Sequence, residues 1–297
     1  FFEQLVQLIP PLTLIDATRR GPKALAINLA GALGIGGLFW LLAWLTASTA
    51  QFLFLGVGYY AVFSWACALH DRDWPLFALT WGSPAFMGVV IAYGADCFIG
   101  YTVSYWAAPY AERVFEVDKA ALGLLIGAPA ALGGFLGVVF GGRLADLLQA
   151  RFAAGRIMVL AIALIMPVPI MLVGYSTGNP TLFYILAFAV QFVTASALGA
   201  AAAASQSLVL PRMRGTATGI FFLGTTLCGL GLGPFMAGFV SEASGNLALG
   251  VKSTPIAAPF GLIALAIAIR AAPRAAAILA ERAKEERAAA GEIIAAA

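Results

Sequence analysis

The side chain with the clearest chemical potential is Asp96, the only carboxylate inside a long apolar run of the sequence. A charged Asp at the bilayer centre costs about 2.5–3.5 kcal/mol on insertion scales, so it is rarely retained without a role. We expect Asp96 to contact a substrate or carry a proton, with a structural hydrogen bond to another helix as the alternative. Tyr93 and Gly100 share its face of a regular helix, whereas Tyr101 points about the other way unless Gly100 breaks the helix. Gln191, in a later run, is expected to face a cavity and completes this candidate substrate or proton site.

The rest of the sequence offers no catalytic or metal-binding pattern. His70 is the only histidine, and the three cysteines lie in apolar runs without paired spacing, at positions 67, 97 and 228. No spacing suits a metal site, and no nucleophile stands beside a general base. We therefore predict that the protein is not an enzyme and needs no metal or cofactor. A basic stripe interleaved with aromatic residues is also missing, which argues against a nucleic-acid partner.

The composition requires a membrane. Of 297 residues, 62% are hydrophobic and 10% are charged, against roughly 25% charged in an ordinary soluble domain. About 20 apolar residues are needed for a helix to cross the hydrocarbon layer. Eight runs meet that requirement, which predicts an all-α polytopic membrane protein in contact with the lipid bilayer. The predicted spans cover about 24–45, 50–69, 79–107, 121–140, 156–175, 181–205, 216–240 and 249–270.

The basic residues predict the orientation of these spans. Eight crossings place both ends of the chain on one side, together with alternate loops. Of the 17 Lys and Arg residues, 14 then lie on that side, and Arg113, Lys119 and Lys252 lie opposite. Because loops rich in Lys and Arg stay in the cytoplasm, both ends are predicted to be cytoplasmic.

A polar stretch after the fourth span, residues 141–151, predicts a tight cytoplasmic turn. Gly142 would let two helix ends approach closely, and Asp146 would lie near the start of the next helix, where its charge suits the helix dipole. Arg143 and Arg151 would hold the turn on the positive side. These four residues are predicted to form a conformational turn that closes in one state and opens in another, with a role in topology alone as the alternative.

The seventh span contains a Gly-rich stretch that predicts close helix packing and a bend. Gly229, Gly233 and Gly238 would form a smooth helix surface. Pro234 cannot donate the hydrogen bond that a helix expects at its position and so permits a hinge. Ordinary helix packing without a hinge is the alternative.

The order of these motifs resembles the second half of a major facilitator superfamily transporter, and within it the bacterial spinster-like proteins. Gly142 and Asp146 match the turn of that superfamily, although Leu147 stands where a basic residue is usual. The Gly-Pro motif falls in the fifth helix of the six-helix half. Four stretches carry the spinster-like resemblance, at residues 98–101, 106–110, 141–146 and 211–215.

The resemblance implies a domain plan. Residues 79–270 would form the six-helix half, and residues 24–78 would be an extra helix pair of the kind that some members insert between halves. Residues 1–23 would be an interfacial segment or a plain linker, and residues 271–297 a cytoplasmic tail, either helical or disordered. Because the chain opens on Phe1 rather than Met, we expect further sequence upstream, and the resemblance implies that it contains the N-terminal transporter half.

The resemblance also implies a function. The protein would be a secondary transporter of a bacterial inner (plasma) membrane, moving a small organic or amphiphilic, lipid-like solute by alternating access, with proton coupling left open. Two alternatives are a lipid-modifying enzyme within the membrane and a non-transporting interaction module. The first lacks a spaced acid, His or metal cluster, and the second is expected to lack further spans upstream.

Overall fold

The computed structural model describes residues 9, 12–152 and 154–296, with side chains up to residue 284. Within these ranges the regular structure is helical and no strand is present, which confirms the predicted all-α class. Eight helical stretches are long and apolar enough to cross a membrane. The predicted interfacial segment 1–23 lies outside the described residues at positions 1–8, 10 and 11.

The chain divides into two compact units, Phe1–Gly82 and Ser83–Ala297. The first unit is built on an antiparallel helix pair, preceded by one short helix and followed by another. Its helices are α1 (Leu12–Arg20), α2 (Pro22–Thr46), α3 (Thr49–Arg72) and α4 (Trp74–Leu79). Large apolar side chains such as Trp40, Trp44 and Phe54 are more than two thirds exposed, as expected for surfaces that face lipid.

The second unit contains six spans, several of them interrupted. Short π-helical segments occupy Gly123–Gly127 and Thr226–Leu230, and 3₁₀ turns occupy Pro211–Met213 and Thr254–Ile256. The α-helices are α5 (Pro84–Val114), α6 (Lys119–Leu122), α7 (Ala128–Arg151), α8 (Gly155–Ile165), α9 (Pro167–Gly174), α10 (Pro180–Ser207), α11 (Arg214–Thr225), α12 (Gly231–Ser244), α13 (Leu247–Ser253) and α14 (Ala257–Ala296).

Helix α5 is the centre of this unit. Its apolar window is 78% buried, more than that of any other candidate span among the described residues. Glycines let it approach its neighbours: a Cβ at Gly88 would lie 2.6 Å from the Ala264 carbonyl oxygen on α14, and one at Gly100 would lie 3.0 Å from Thr194 Oγ1 on α10. The helix that carries Asp96 is therefore fixed on several sides.

The start of the third span differs from the prediction. The span was predicted from about residue 79, but Trp74–Leu79 is a separate short helix and α5 begins at Pro84. The side chain of Ser83 accepts a hydrogen bond from the Phe86 amide at 3.4 Å, and Pro84 follows at the first helical position. Both features favour a helix start at this point, which apolar run length alone does not reveal.

The predicted turn at residues 141–151 is also wrong, because α7 continues as regular helix to Arg151. The chain turns after that residue, and α8 begins at Gly155. Asp146 thus lies in the last turns of α7 and not at the start of the next helix. The stretch contains no proline and is rich in Leu, Ala, Gln and Arg, which favour helix. The stretch Lys119–Arg151 has 33 residues, about 50 Å of helix, so it extends beyond a hydrocarbon layer of about 30 Å.

The tail follows the helical alternative. Helix α14 runs without a break from Ala257 to Ala296, although it contains Pro273. The predicted cytoplasmic tail from residue 271 is therefore a continuation of the last span, as far as the backbone is described.

Candidate functional site

A cleft of about 160 Å³ opens between α5, α7 and α10. Helix α5 contributes the side with Asp96, α10 contributes the side with Gln191, and α7 contributes small and apolar residues. All five residues of the predicted substrate or proton site line this one cleft. Its lining consists of Tyr93, Asp96, Cys97, Gly100, Tyr101, Ser104, Gly134, Val138, Gln191, Thr194, Ala195 and Leu198.

Asp96 is 1% exposed and is the only ionisable carboxylate of the cleft. Its Oδ1 atom is buried without a hydrogen-bond partner among the described residues. Buried polar atoms are nearly always hydrogen-bonded in folded proteins, so an orphaned acceptor of this kind calls for a proton or a ligand. No structural hydrogen bond from Asp96 Oδ1 to another helix is present in the part of the chain that the structure describes.

Gln191 supplies a second unused acceptor. Its Nε2 donates to the Ser104 hydroxyl and so ties α10 to α5, while Oε1 is buried without a partner. The cleft thus holds two acceptor oxygens, one on Asp96 and one on Gln191, that no described protein group satisfies. This polarity suits a solute that donates hydrogen bonds or carries positive charge.

The two tyrosines bound the cleft differently. The Tyr93 ring stacks on Phe221 of α11, with centroids 5.1 Å apart and planes 9° from parallel, and it is 8% exposed. Tyr101 is 40% exposed and lines the same cleft, although residues five positions apart lie about 140° apart around a regular helix. Helix α5 is regular through Gly100. We infer that the length of the tyrosine side chain, and not a break in the helix, brings Tyr101 to the cleft.

A row of glycines on α7 packs this helix closely against α10. A Cβ at Gly133 would lie 3.1 Å from the Phe188 carbonyl oxygen of α10, and added side-chain atoms at Gly137 and Gly141 would overlap the backbone of Phe192 and Ser196. Sequence reasoning missed this series, although its four-residue spacing is a visible signal of close helix packing. Gly134, Val138 and Ala195 of the cleft were missed as well, and nothing in their residue types marks them.

The four residues of the predicted conformational turn lie at the end of α7. Arg143, Asp146 and Arg151 are exposed, and Asp146 makes no ion pair or hydrogen bond with described residues. A Cβ at Gly142 would meet nothing within 4 Å, so the close approach predicted for Gly142 belongs to Gly141. The corner to α8 is tight, since Gln149 Oε1 accepts from the Arg156 amide at 3.3 Å.

The Gly-rich stretch of the seventh span packs on α5. Side-chain atoms added at Gly229 and Gly233 would overlap Cys97 and the Phe98 carbonyl, and a Cβ at Gly238 would lie 3.0 Å from the Trp106 ring. The π-helical segment Thr226–Leu230 comes just before Pro234. The glycine surface therefore packs against α5, while the hinge at Pro234 stays a prediction.

The fold and the cleft define a class: a polytopic, all-α membrane protein whose six-span unit contains a cleft with buried polar groups. No family model matches the chain. It is similar to an MFS-type efflux pump of Mycolicibacterium smegmatis, with 26% identity over 222 residues, which cover 72% of this chain and 50% of that protein. The chain thus spans about half the length of this curated relative.

Two solved structures share the fold, both of a bacterial homolog to the human lysosomal transporter Spinster. The inward-facing, occupied form gives a TM-score of 0.54 at 21% identity and covers 83% of this chain and 64% of that chain. The inward-facing, unoccupied form gives 0.53 at 18% identity and covers 86% and 69%. These likenesses confirm the predicted resemblance to a transporter half, and relatives that are transporters agree with the prediction that the chain is not an enzyme.

Proposed function

We propose that this chain is the second half of a secondary active transporter and that its cleft at Asp96 and Gln191 forms part of the solute site. The observation that carries the proposal is the buried Asp96 carboxylate, whose Oδ1 has no partner among the described residues and which lines a cleft on the most buried helix of the unit. A buried acceptor without a donor is costly in a structural role. In a transport cycle a solute or a proton supplies the missing donor.

The cleft chemistry favours a small organic or amphiphilic solute that donates hydrogen bonds. Asp96 and Gln191 each offer an unused acceptor, and apolar walls from Val138 and Leu198 suit a hydrophobic body. The names of the relatives, an efflux pump and a homolog of the transporter Spinster, agree with transport of a solute. Asp96 is in addition the residue on which proton coupling in this half would depend, because it can hold a proton when the site is dry and release it when the site fills with water.

Alternating access requires a second six-helix unit on the open side of the cleft. We propose that the N-terminal half of the transporter supplies it, that both ends of the present chain are cytoplasmic, and that the protein resides in a bacterial inner membrane. In this mechanism the two halves rock around the site. The π segment and Pro234 would let the seventh span bend, and the exposed Asp146 would hold the two halves together at the cytoplasmic face in one of the two states.

The test is whether the cleft opens alternately to both sides of the membrane. Val138 lines the cleft, whereas Phe135 on the same helix is 65% exposed and does not line it. Each is changed to Cys in full-length protein whose native cysteines are all replaced by Ala, and labelled with an impermeant maleimide in right-side-out and inside-out vesicles.

Val138→Cys is expected to react from both sides, with the preferred side reversing when the imposed pH gradient is reversed. Phe135→Cys is the matched control and is expected to stay unreactive because it faces lipid. Labelling of Val138→Cys from one side only, whatever the gradient, would contradict alternating access.

A further inference from the structure

The first unit contains a cavity of about 620 Å³ at one end of its helix pair. Volumes of roughly 300–1,000 Å³ are typical of sites for small ligands. Arg20 borders it at the end of α1 and Lys23 at the start of α2. His70 and Asp71 border it at the end of α3, and Trp81 closes it after α4. The solute cleft of the second unit has no residue in common with it.

The polar groups of this cavity that lack partners are donors. Arg20 donates from Nε to Asp16 at 2.9 Å and from Nη1 to Asp71 at 2.7 Å, but its Nη2 is buried without a partner. The Trp81 Nε1 is likewise buried without an acceptor. Lys23 is exposed and makes no ion pair with described residues. A ligand with anionic oxygens would satisfy all three groups.

The carboxylates near the cavity are already engaged. Asp71 accepts from Arg20 through Oδ2 and lies 3.0 Å from His70 Nδ1 through Oδ1, and Asp16 pairs with Arg20. Arg20 is thus paired with both carboxylates, and Lys23 is the cation of the lining that no described carboxylate neutralises. One anionic group is what this balance accommodates.

The remaining wall is apolar. Ile27 of α2 and Phe63 of α3 extend the cavity toward the middle of the helix pair, and Phe77 of α4 packs edge-on against the His70 ring at 5.0 Å. The charged groups lie at the ends of α2 and α3, where spanning helices meet lipid headgroups. Basic pockets at such ends bind anionic headgroups, with acyl chains following the apolar surface below.

We propose that this cavity binds one anionic phospholipid, with its phosphate held by Lys23, Arg20 Nη2 and Trp81 Nε1 and an acyl chain along Ile27 and Phe63. The extra helix pair would then be a lipid-binding element. The inference needs only that α2 and α3 span the membrane, so its failure would leave the proposed transport function untouched.

The test uses full-length protein released from membranes that contain equal amounts of phosphatidylglycerol and phosphatidylcholine, with bound lipid counted by native mass spectrometry. The variant Lys23→Gln/Trp81→Phe removes one positive charge and the indole N–H donor while keeping side chains of similar size. Arg20 is left unchanged because it also fixes two carboxylates. The matched control is Arg19→Gln, which removes an exposed positive charge four positions before Lys23. Arg19 does not line the cavity.

Wild-type protein is expected to retain phosphatidylglycerol in preference to phosphatidylcholine. The double variant should lower phosphatidylglycerol retention about tenfold, from the loss of one cation and one donor. Arg19→Gln should change it less than about twofold. Phosphatidylcholine retention should stay the same in all three proteins.

Three results would overturn the proposal. Equal retention of the two lipids by wild-type protein would exclude selective binding. Equal losses in Arg19→Gln and in the double variant would mean a diffuse surface charge. Complete displacement of the lipid by glycerol 3-phosphate at equal concentration would mean that the acyl chain adds nothing and that the ligand is a soluble anion.

Discussion

The indole N–H of Trp106 donates a hydrogen bond to the carbonyl oxygen of Pro234, with 2.8 Å between Nε1 and the oxygen. The bond joins the central helix α5 to α12 at the residue predicted to act as a hinge. The Trp106 ring also covers Gly238, one turn further along α12. A hinge at Pro234 would therefore bend at a residue that this hydrogen bond fixes to α5.

We predict that Trp106→Phe lowers the stability of the protein by about 1 kcal/mol, because the Pro234 carbonyl loses its donor while the aromatic ring is kept. The measurement is thermal unfolding in detergent. Trp44→Phe is the control, since Trp44 is 72% exposed in the first unit, and it should unfold at the wild-type temperature. Equal unfolding temperatures for Trp106→Phe and wild type would show that the bond contributes nothing.

Neighbouring glycines at the end of α7 give a second prediction. Gly141→Ala should destabilise the protein by about 1–3 kcal/mol, because the added methyl group overlaps the Ser196 backbone. Gly142→Ala should be neutral or stabilising by up to about 1 kcal/mol, because its Cβ meets open space and Ala favours helix. Thermal unfolding of the two variants side by side tests this. The opposite order of stabilities would mean that α7 and α10 do not meet at Gly141.

The sequence predicts much of this structure because apolar runs of about 20 residues are typical of membrane-spanning helices. The eight spans and the all-α class follow from run length. The helix at residues 141–151 was missed because Gly and charged residues resemble a turn, whereas helix-forming Leu, Ala and Arg continue the helix. The choice between Gly141 and Gly142 depends on which one faces α10, and a single sequence does not reveal that.

Part of the candidate site was predictable because polar residues stand out within long apolar runs. Asp96 and Gln191 are conspicuous as polar residues in apolar runs, and both line the cleft. The π segments and the cavity near Arg20 were not predicted. The cavity forms between helices, and no local sequence pattern marks it or the π segments.

Topology is the third prediction. Lys119 and Ala150 are both exposed and lie near opposite ends of the fourth span. With the native cysteines replaced, Lys119→Cys should react with an impermeant maleimide added to intact cells, and Ala150→Cys should react only after the cells are opened. The reverse pattern would place both ends of the chain outside and end the orientation argued from positive charge.

The fourth prediction concerns Asp146, which we propose holds the two transporter halves together at the cytoplasmic face in one state. Asp146→Asn should reduce the transport rate about fivefold or more without lowering thermal stability, because the exposed carboxylate makes no ion pair with described residues and acts only when the two halves meet. Transport and unfolding are measured on the same purified samples. Glu242→Gln, a change at an exposed carboxylate outside the predicted conformational turn, serves as the comparison and should leave the rate unchanged. A wild-type rate for Asp146→Asn would reduce this segment to a topology signal.

The most direct test of the proposed transport site is a substitution of Asp96. Proteoliposomes that contain the full-length protein are either loaded with ethidium or incubated with it outside, with and without an imposed pH gradient. Ethidium is a lipophilic cation that donates hydrogen bonds. Asp96→Asn keeps the size of the side chain but cannot release a proton, so it should abolish accumulation against the ethidium gradient and leave downhill exchange largely intact. Glu242→Gln, a change at an exposed carboxylate of the same unit, should behave as wild type. Unchanged gradient-driven accumulation in Asp96→Asn would contradict the proposal that Asp96 belongs to the transport site and holds the coupling proton.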